Sequence, residues 1–334
     1  MSELPATYRK VVVTRPSRDF RAATDIVEVP MPQPGPGQLL IKTFYAGVNA
    51  SDLNISAGFY FADEPPFDTG VEATGEVVAV GADVNGFKVG DHVLSVMLGG
   101  GYREYNIVDA AMAIPIPQAT PEITATAVGA LTALMALDIA GEMRSNEIVL
   151  ITAAAGGVGN FAVQIAKQAG NHVIGTCSTP EKAEELRRLG CDRVIVYTQE
   201  DMNTVLQTEY PQGVNLVLEG VGTDQFDSSV ANLAKLGRVV IIGFISEYKG
   251  EPQVVTAPRI YHQLLWKSAT LRGFLYSDYP ERIPEYLGQV MQLVLEGKLT
   301  ALVDDTPFYG VEQVADAVEH LHSGKNKGKV LVRF

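Results

Sequence analysis

The spacing of hydrophobic residues changes near residue 122 and divides the chain into two kinds of region. Before this point, short β-branched runs at residues 9–14, 38–45, 75–80 and 91–96 are separated by glycine and proline. This pattern is typical of strands joined by turns. Beyond it, helical and strand-like segments alternate, which predicts βαβ units around a parallel sheet.

Six strand-like segments follow the change of pattern, and six is the strand number of a dinucleotide-binding Rossmann sheet. They lie at residues 148–153, 172–176, 193–196, 214–218, 238–242 and 270–273. After residue 274 the pattern returns to mixed helix and strand. We therefore predict an α/β protein with a Rossmann domain at residues 123–274, between a β-rich region at residues 1–122 and a mixed region at residues 275–334.

A glycine-rich turn follows the first of these strands and precedes a helix with apolar residues at helical spacing. The turn reads Ala154-Ala155-Gly156-Gly157-Val158-Gly159. Gly156 allows the backbone to approach a pyrophosphate, and Gly159 allows helix and strand to pack closely. Because the N-terminus of the helix also offers unpaired amides, the turn predicts a dinucleotide site.

The end of the second strand predicts which dinucleotide binds. A site that prefers NAD places an acidic residue about 20 residues beyond the glycines, whereas this strand ends in the uncharged residues Thr176, Cys177 and Ser178. Ser178 can donate a hydrogen bond to a 2′-phosphate, and Lys182 on the first turn of the next helix supplies a positive charge. We therefore predict NADPH.

Composition and charge limit the partners and the compartment. The chain has 334 residues, a formal charge of −13 and two cysteines. Because affinity for nucleic acid depends on accumulated positive charge, nucleic acid is not an expected partner. The apolar runs are far shorter than a membrane span, and no signal peptide is evident, so we expect no membrane partner. Two cysteines make no disulfide framework, and we expect a cytoplasmic protein.

Three segments together resemble the medium-chain dehydrogenase/reductase superfamily, in its quinone-reductase branch. They are residues 46–52 (AGVNASD), residues 81–93 and the glycine turn at residues 154–159. The resemblance covers nearly the whole chain. It implies a GroES-like β-rich catalytic domain built from both chain ends (residues 1–122 and 275–334), with the Rossmann domain (residues 123–274) inserted between them. It also implies a homodimer joined through the sixth strands, here residues 270–273.

The same resemblance implies chemistry without zinc. Zinc-dependent relatives have a catalytic cysteine where this chain has Asn49, a histidine where it has Val71, and a four-cysteine lobe that this chain lacks. We therefore expect no metal, and hydride transfer to the electron-poor double bond of an α,β-unsaturated carbonyl compound (an enone). A quinone is the alternative acceptor, and a non-catalytic NADPH-binding protein is a third interpretation.

Three residues are predicted at the reacting site. Tyr248 follows the fifth strand at the end where ligands bind open α/β sheets, although a loop tyrosine is the alternative. Asn49 can donate and accept hydrogen bonds, or it simply caps a turn. Tyr60 ends a Gly-Phe-Tyr segment that resembles the lining of the nicotinamide pocket in quinone reductases.

Resemblance to the prostaglandin-reductase members of the branch implies further cofactor contacts. They are Thr152, Ser178, Lys182, Tyr197, Ile245, Tyr248, Phe274 and Asn326. One departure is Gly220, which stands where those members have serine, so that one hydrogen bond to the cofactor is missing.

Overall fold

The structure, a computed structural model, describes residues 4–60, 64–250, 254 and 258–334. The chain divides into two units. The GroES-like unit comprises Met1–Val128 and Val303–Phe334, and the Rossmann unit comprises Gly129–Leu302. Each unit has its own sheet and core, as the change of hydrophobic spacing predicted.

Strands dominate the first part of the GroES-like unit. They are β1 (Thr7–Val13), β2 (Thr24–Pro30), β3 (Gln38–Gly47), β4 (Phe67–Asp68), β5 (Glu72–Val80), β6 (His92–Val96), β7 (Tyr105–Asp109) and β8 (Ala113–Ile116). The helices in this part are α1 (Phe20–Ala23), α2 (Asp52–Ser56) and α3 (Pro121–Met135), and the boundary between the units falls within α3.

Strands and helices alternate in the Rossmann unit. The strands are β9 (Ile148–Ile151), β10 (His172–Cys177), β11 (Arg193–Val196), β12 (Val214–Glu219), β13 (Leu233–Ile241) and β14 (Thr270–Gly273). The helices are α4 (Gly159–Gln168), α5 (Pro180–Arg188), α6 (Met202–Glu209), α7 (Thr223–Ala231), α8 (Tyr261–Lys267) and α9 (Ile283–Leu295). The chain then returns to the GroES-like unit with α10 (Val314–His322) and β15 (Leu331–Arg333).

The Rossmann sheet is parallel throughout, with the strand order β11-β10-β9-β12-β13-β14. This is the order 3-2-1-4-5-6 of the dinucleotide-binding fold, and it confirms the prediction. Leu150, Ile174 and Val239 are fully buried in the core of the sheet because a parallel strand is covered on both faces. Helix α5 begins where the sequence suggests, with Thr179 accepting a hydrogen bond from the Lys182 amide and proline at the first helical position.

In its described residues, the GroES-like unit contains two antiparallel sheets. The larger has the order β15-β3-β5-β6-β8, with β7 also paired to β3, and the smaller has the order β2-β1-β4. Alternate residues of β3, including Leu39 and Ile41, point into a core with Val77, Val93 and Val108. The C-terminal strand β15 pairs with β3, so both chain ends build this unit, as the family resemblance implied.

The second domain boundary lies at Leu302 and not at residue 274, where the sequence pattern placed it. Helix α9 stays with the Rossmann unit because Tyr286 donates a hydrogen bond to Asp138. Beyond α9, the side chain of Gln164 binds both backbone groups of Thr300, at 2.9 Å each. The hydrophobic pattern after residue 274 could not predict these contacts, because they join side chains far apart in sequence.

One helical stretch in the described part of the chain, Pro121–Ala140, is long and apolar enough to cross a membrane by length and composition alone. This corrects the expectation that every apolar run is far shorter. Seventy-eight per cent of its most apolar window is buried in the protein. Buried core helices meet the same criterion, since they too are hydrophobic on all sides.

Candidate active site

Every cofactor contact predicted in the Rossmann unit lies at or just beyond the carboxyl end of a strand, apart from those in the first turns of α4 and α5. One such residue follows each of the six strands: Thr152, Ser178, Tyr197, Gly220, Ile245 and Phe274. This is the edge at which open parallel sheets bind ligands. Asn49, Tyr60 and Asn326 belong instead to the GroES-like unit.

The glycine turn is held in place by the end of β10. The hydroxyl of Thr176 accepts a hydrogen bond from the Ala153 amide at 3.1 Å and donates one to Gln225 at 2.8 Å. The carbonyl of Thr176 accepts from the Ala154 amide at 2.9 Å. Ala153 has a positive φ of 46°, which costs a non-glycine residue energy and marks the sharp bend after β9.

Close packing at the turn explains Gly159. A Cβ at this position would lie 2.5 Å from the Ala153 carbonyl oxygen and 2.6 Å from the Cα of Ala154. Only a residue without a side chain therefore allows α4 to start this close to β9. Gly129 serves the same purpose on α3, where a Cβ would lie 2.4 Å from the Gly157 carbonyl oxygen.

The carbonyl groups and the amides of the turn differ in their hydrogen bonding. The buried side chain of Asn160 donates to the carbonyls of Gly156 at 2.8 Å and Gly157 at 3.1 Å. Within the described chain, the amides of Gly157 and Val158 have no acceptor. Sequence reasoning missed Asn160, although a polar residue in the first turn of a helix, directly after the glycines, was a signal. The turn thus offers donors to an anion.

The positions predicted to hold the 2′-phosphate lie on neighbouring strands. The Tyr197 amide donates to the Cys177 carbonyl at 3.1 Å, and the Thr198 hydroxyl donates to the Ser178 carbonyl at 2.7 Å. Lys182 is half-buried in the first turn of α5, and Tyr197 is 44% exposed. Because no carboxylate occupies residues 176–178, this part of the edge suits a phosphate better than a pair of ribose hydroxyls.

Thr152 links β9 to the loop after β12. Its buried hydroxyl accepts a hydrogen bond from the Gly220 amide at 2.9 Å, and the Gly220 carbonyl in turn accepts from the Ile245 amide at 3.1 Å. Glu219, which the sequence analysis did not single out, accepts from the amides of Val221 at 2.6 Å and Gly222 at 2.7 Å. Burial raises the pKa of its carboxyl group. These bonds fix the loop at the sheet edge.

Tyr248 is buried, with only 4% of its surface exposed. Its oxygen accepts a long hydrogen bond of 3.4 Å from the Phe244 amide, and its ring packs at 90° against the Phe244 ring. A Cβ on Gly243 would lie 2.9 Å from the Tyr248 oxygen. The hydroxyl therefore faces the backbone of its own loop, and contact with a substrate stays a prediction for this residue.

Phe274, Tyr60 and Asn326 have different surroundings. Phe274 is 5% exposed, and its ring stacks on that of Tyr279 with centroids 5.5 Å apart. Tyr60 is 37% exposed in the GroES-like unit and borders the undescribed residues 61–63. Asn326 is buried and donates to the Gly328 carbonyl at 2.9 Å. Of the three, Tyr60 presents the most side chain to solvent.

Asn49 belongs to a buried polar network within the GroES-like unit. Its side-chain amide donates to Glu72 at 3.0 Å and to the Gly47 carbonyl at 3.2 Å. Its side-chain oxygen accepts from the Lys329 ammonium at 2.7 Å. Lys329 also forms an ion pair with Glu72, and the second oxygen of Glu72 accepts from the Val128 amide at 2.7 Å. Lys329 and Glu72 are 3% and 0% exposed.

Asp52 extends this network from the other side of Asn49. The Asp52 carboxylate accepts hydrogen bonds from the backbone amide of Asn49 at 2.8 Å and from the Tyr102 hydroxyl. Its burial is complete and raises its pKa to about 7, although both hydrogen bonds and the Lys329 charge act in the opposite direction. The acid in the Asn-x-x-Asp segment is therefore an interior group.

The positions of the zinc ligands in metal-dependent relatives are occupied by groups of another kind. Asn49 is tied into the network above, and Val71 is a buried apolar residue. In the part of the chain that the structure describes, no group of three or more His, Cys, Asp or Glu side chains is arranged to hold a metal ion.

Comparison with known proteins matches both units to one family. Residues 35–118 match the alcohol dehydrogenase GroES-like domain, and residues 157–293 match the zinc-binding dehydrogenases. The second match lies wholly beyond Asn49 and Val71, and so carries no information on zinc ligands in this chain.

Curated relatives and solved structures agree with this assignment. The chain is 44% identical to a probable quinone oxidoreductase of Leishmania amazonensis, over 99% of both chains. It is 42% identical to prostaglandin reductase-3 of Mus musculus, over 100% of this chain and 91% of that protein. Escherichia coli quinone oxidoreductase in complex with NADPH matches with a TM-score of 0.85 and 26% identity, over 98% of this chain and 100% of that chain. This chain therefore belongs to the medium-chain dehydrogenase/reductase superfamily, in its quinone-reductase branch.

Proposed function

We propose that the protein is an NADPH-dependent reductase that transfers a hydride to the carbon–carbon double bond of α,β-unsaturated carbonyl compounds without zinc. The observation that carries the proposal is the arrangement at the carboxyl edge of the Rossmann sheet. There, among the residues that the structure describes, the amides of Gly157 and Val158 have no acceptor, and the neighbouring strand end has no carboxylate. Backbone donors at a helix N-terminus suit a pyrophosphate.

NADPH suits the residues at this edge. Ser178, Lys182 and Tyr197 supply hydroxyl and ammonium groups for a 2′-phosphate, and the turn supplies amides for the pyrophosphate. When bound, NADPH supplies the hydride. The complex of NADPH with the Escherichia coli relative, which shares the whole fold, supports this choice.

Replacement of Lys182 tests the choice of cofactor. We expect Lys182→Ala to raise the KM for NADPH by about tenfold, because a charge-assisted hydrogen bond contributes about 1.5 kcal/mol, and to leave the KM for NADH unchanged. Lys298→Ala is the control, since this exposed lysine pairs with Glu296. Equal changes in the two KM values for Lys182→Ala would refute the phosphate contact.

The reaction follows from the absence of zinc ligands at positions 49 and 71 of the sequence. Addition of hydride to the β-carbon of an enone places negative charge on the carbonyl oxygen, and a proton must then reach the α-carbon. A hydrogen-bond donor must stabilise that oxygen. Both amide hydrogens of Asn49 are engaged within the network, so the hydroxyls of Tyr60 and Tyr248 are the better candidates.

Quinone reduction is the second candidate, favoured by the name of the 44% identical relative. A panel of enones, alkenals and quinones, incubated with NADPH and followed by product analysis, distinguishes the two. We expect saturated ketones from the enones. If only quinones turn over, the enone proposal fails and the quinone reading replaces it. If NADPH binds tightly and no acceptor turns over, the protein is a non-catalytic NADPH-binding protein.

A homodimer joined through β14 is part of the proposal. Among the described residues, β14 has a single neighbour in the sheet, β13, and its other edge carries unpaired backbone groups. Leu265 and Trp266 on the preceding helix are 74% and 77% exposed. Sedimentation velocity tests this assembly: a monomer at micromolar concentration would refute it. We also propose a cytoplasmic location, consistent with two buried cysteines that form no disulfide.

A further inference from the structure

A lysine buried inside the GroES-like unit carries an inference about the candidate site. Lys329 is 3% exposed, and its ammonium contacts the carboxylate of Glu72 and the side-chain oxygen of Asn49. Burial of an ammonium is unfavourable unless it is paired and hydrogen-bonded. An apolar side chain would fill this position at a lower cost in free energy, and the contacts of Lys329 point to a further role.

Glu72 holds this ammonium in place from the opposite side. One Glu72 oxygen pairs with Lys329 and accepts from the side-chain amide of Asn49 at 3.0 Å. The other oxygen accepts from the backbone amide of Val128 at 2.7 Å. Gly47 makes room for the carboxylate, since a Cβ there would lie 2.1 Å from a Glu72 oxygen. Both carboxylate oxygens are engaged, and the ion pair has a fixed geometry.

The contacts of Asn49 select one of two orientations of its amide group. With the oxygen toward Lys329, a donor faces an acceptor, and the amide nitrogen donates to Glu72 and to the Gly47 carbonyl. Rotation by 180° would place the amide nitrogen against the ammonium and the oxygen against the carboxylate. Two donors, the amide nitrogen and the ammonium, would then face each other, and the amide oxygen would face the acceptors of Glu72 and Gly47. None of these hydrogen bonds could form, and leaving buried polar groups unpaired is unfavourable.

We propose that Lys329 is a positioning residue, which fixes the orientation of the Asn49 amide at the reacting site through its ion pair with Glu72. This rests on the proposed reductase function and on the prediction that Asn49 is a reacting-site residue. Because both of its amide hydrogens are engaged, Asn49 can act there only as an acceptor, through the second lone pair of its oxygen, and not as the donor to the developing enolate. Orientation matters there because side chains at a reacting centre must be held within about 0.5 Å of the productive geometry. Lys329 comes 280 residues after Asn49, so no local pattern indicates the pairing.

Kinetics of four variants test the proposal. Lys329→Met should lower kcat by tenfold or more and leave the Kd for NADPH within twofold of wild type. Lys329→Arg keeps the positive charge and a donor and should recover most of the lost kcat. Asn49→Ala should lower kcat, and the double variant Asn49→Ala/Lys329→Met should be no slower than Asn49→Ala alone. Such non-additive losses of kcat would show that Lys329 acts through Asn49.

Two results would overturn the proposal: wild-type kcat in Lys329→Met, or losses in the two single variants that multiply in the double variant. If Lys329→Met is unfolded, Glu72→Gln/Lys329→Met serves instead, because it removes both charges together and leaves no unpaired ion. In this variant the oxygen of Asn49 gains a donor at position 72 and loses the one at position 329. We expect the amide to rotate and kcat to fall.

A readout without turnover separates this inference from the proposed function. With ¹⁵N-labelled asparagine, the side-chain amide resonances of Asn49 are assigned from their loss in Asn49→Ala. We expect them to shift in Lys329→Met and to return in Lys329→Arg. If wild type reduces no acceptor, the proposed function fails, while unshifted resonances in Lys329→Met would overturn the positioning role independently.

Discussion

The glycine turn of the Rossmann unit and the Asn49 network of the GroES-like unit use polar groups in opposite ways. At the turn, Asn160 engages the carbonyls, and within the described chain the amides of Gly157 and Val158 have no acceptor. In the network, both amide hydrogens of Asn49 and both oxygens of Glu72 are already engaged. The turn therefore has donors available for an anion, whereas the hydrogen bonds of the network hold its side chains in fixed orientations.

The difference shows where binding and where rigidity are built into this chain. Backbone amides at a helix N-terminus remain available because no residue precedes them in the helix to accept their hydrogen bonds. Buried side chains, in contrast, lose water on folding and must find partners within the protein. We therefore expect variants of the turn to affect cofactor affinity, and variants of the network to affect stability and turnover.

The largest expected effect is that of Glu72→Gln on stability. This change leaves the buried Lys329 ammonium without a counterion, and breaking a buried pair from one side costs about 3–5 kcal/mol. Chemical denaturation monitored by circular dichroism measures the free energy of unfolding. The control is Glu296→Gln, whose partner Lys298 is 57% exposed and loses little. Similar stability of the two variants would contradict the description of the network as a buried, mutually dependent set.

Gly159→Ala should have the next largest effect, and it acts on cofactor binding. The added Cβ would lie 2.5 Å from the Ala153 carbonyl oxygen, so α4 must move away from β9. We expect the Kd for NADPH to rise by about 10- to 100-fold, in line with about 1–3 kcal/mol for overpacking. Fluorescence titration measures this Kd. Gly288→Ala is the control, because a Cβ there meets nothing within 4 Å. Unchanged affinity in Gly159→Ala would show that the turn does not hold the cofactor.

The turn and the sheet could be predicted from the sequence because their determinants are local. Residues 148–159 contain an apolar strand, spaced glycines and a helix start within twelve consecutive positions. The six strands were predicted close to their observed positions for the same reason, although β13 begins at Leu233, five residues before the predicted start. Its early part includes Leu236, which has a positive φ and is 70% exposed, and the hydrophobic pattern is interrupted there.

The network could not be predicted because its members are far apart along the chain. Glu72 lies 23 residues and Lys329 lies 280 residues from Asn49. Asn49 was identified as a candidate, but its choice between donating and accepting depends on those two partners. The burial of Tyr248 was also hidden, since it depends on how the loop after β13 folds back over Gly243 and Phe244. Side-chain packing of this kind leaves no periodic signal.

Stability should depend on pH through Asp52, and the change over any one pH unit is smaller than the loss expected in Glu72→Gln. Burial raises the pKa of its carboxyl group to about 7, against about 3.9 in an unfolded chain. Between these values the folded protein binds more protons than the unfolded one, so the free energy of unfolding falls as the pH rises, by up to about 1.4 kcal/mol per pH unit. The stabilisation is complete below pH 4 and lost above pH 7.

Asp52→Asn isolates this contribution. Its side-chain oxygen can still accept from the Asn49 amide and the Tyr102 hydroxyl, but it does not titrate. The groups facing position 52, Glu72, Lys329 and Tyr102, remain in both proteins, so the difference between the two unfolding curves at pH 5, 6, 7 and 8 reports Asp52 alone. A difference that does not change over this range would mean that Asp52 is ionised throughout.

The smallest expected effect is a gain in cofactor affinity from Gly220→Ser, which restores the serine of the prostaglandin-reductase members. An added Cβ meets no atom closer than 3.6 Å, so the loop can keep its bonds to Thr152 and Ile245. One new hydrogen bond contributes about 0.5–1.5 kcal/mol, and we expect the Kd for NADPH to fall about threefold. Gly220→Ala adds the same Cβ without the hydroxyl and is the matched control. If both variants bind NADPH equally, position 220 does not reach the cofactor, and the open donors of the turn account for binding without it.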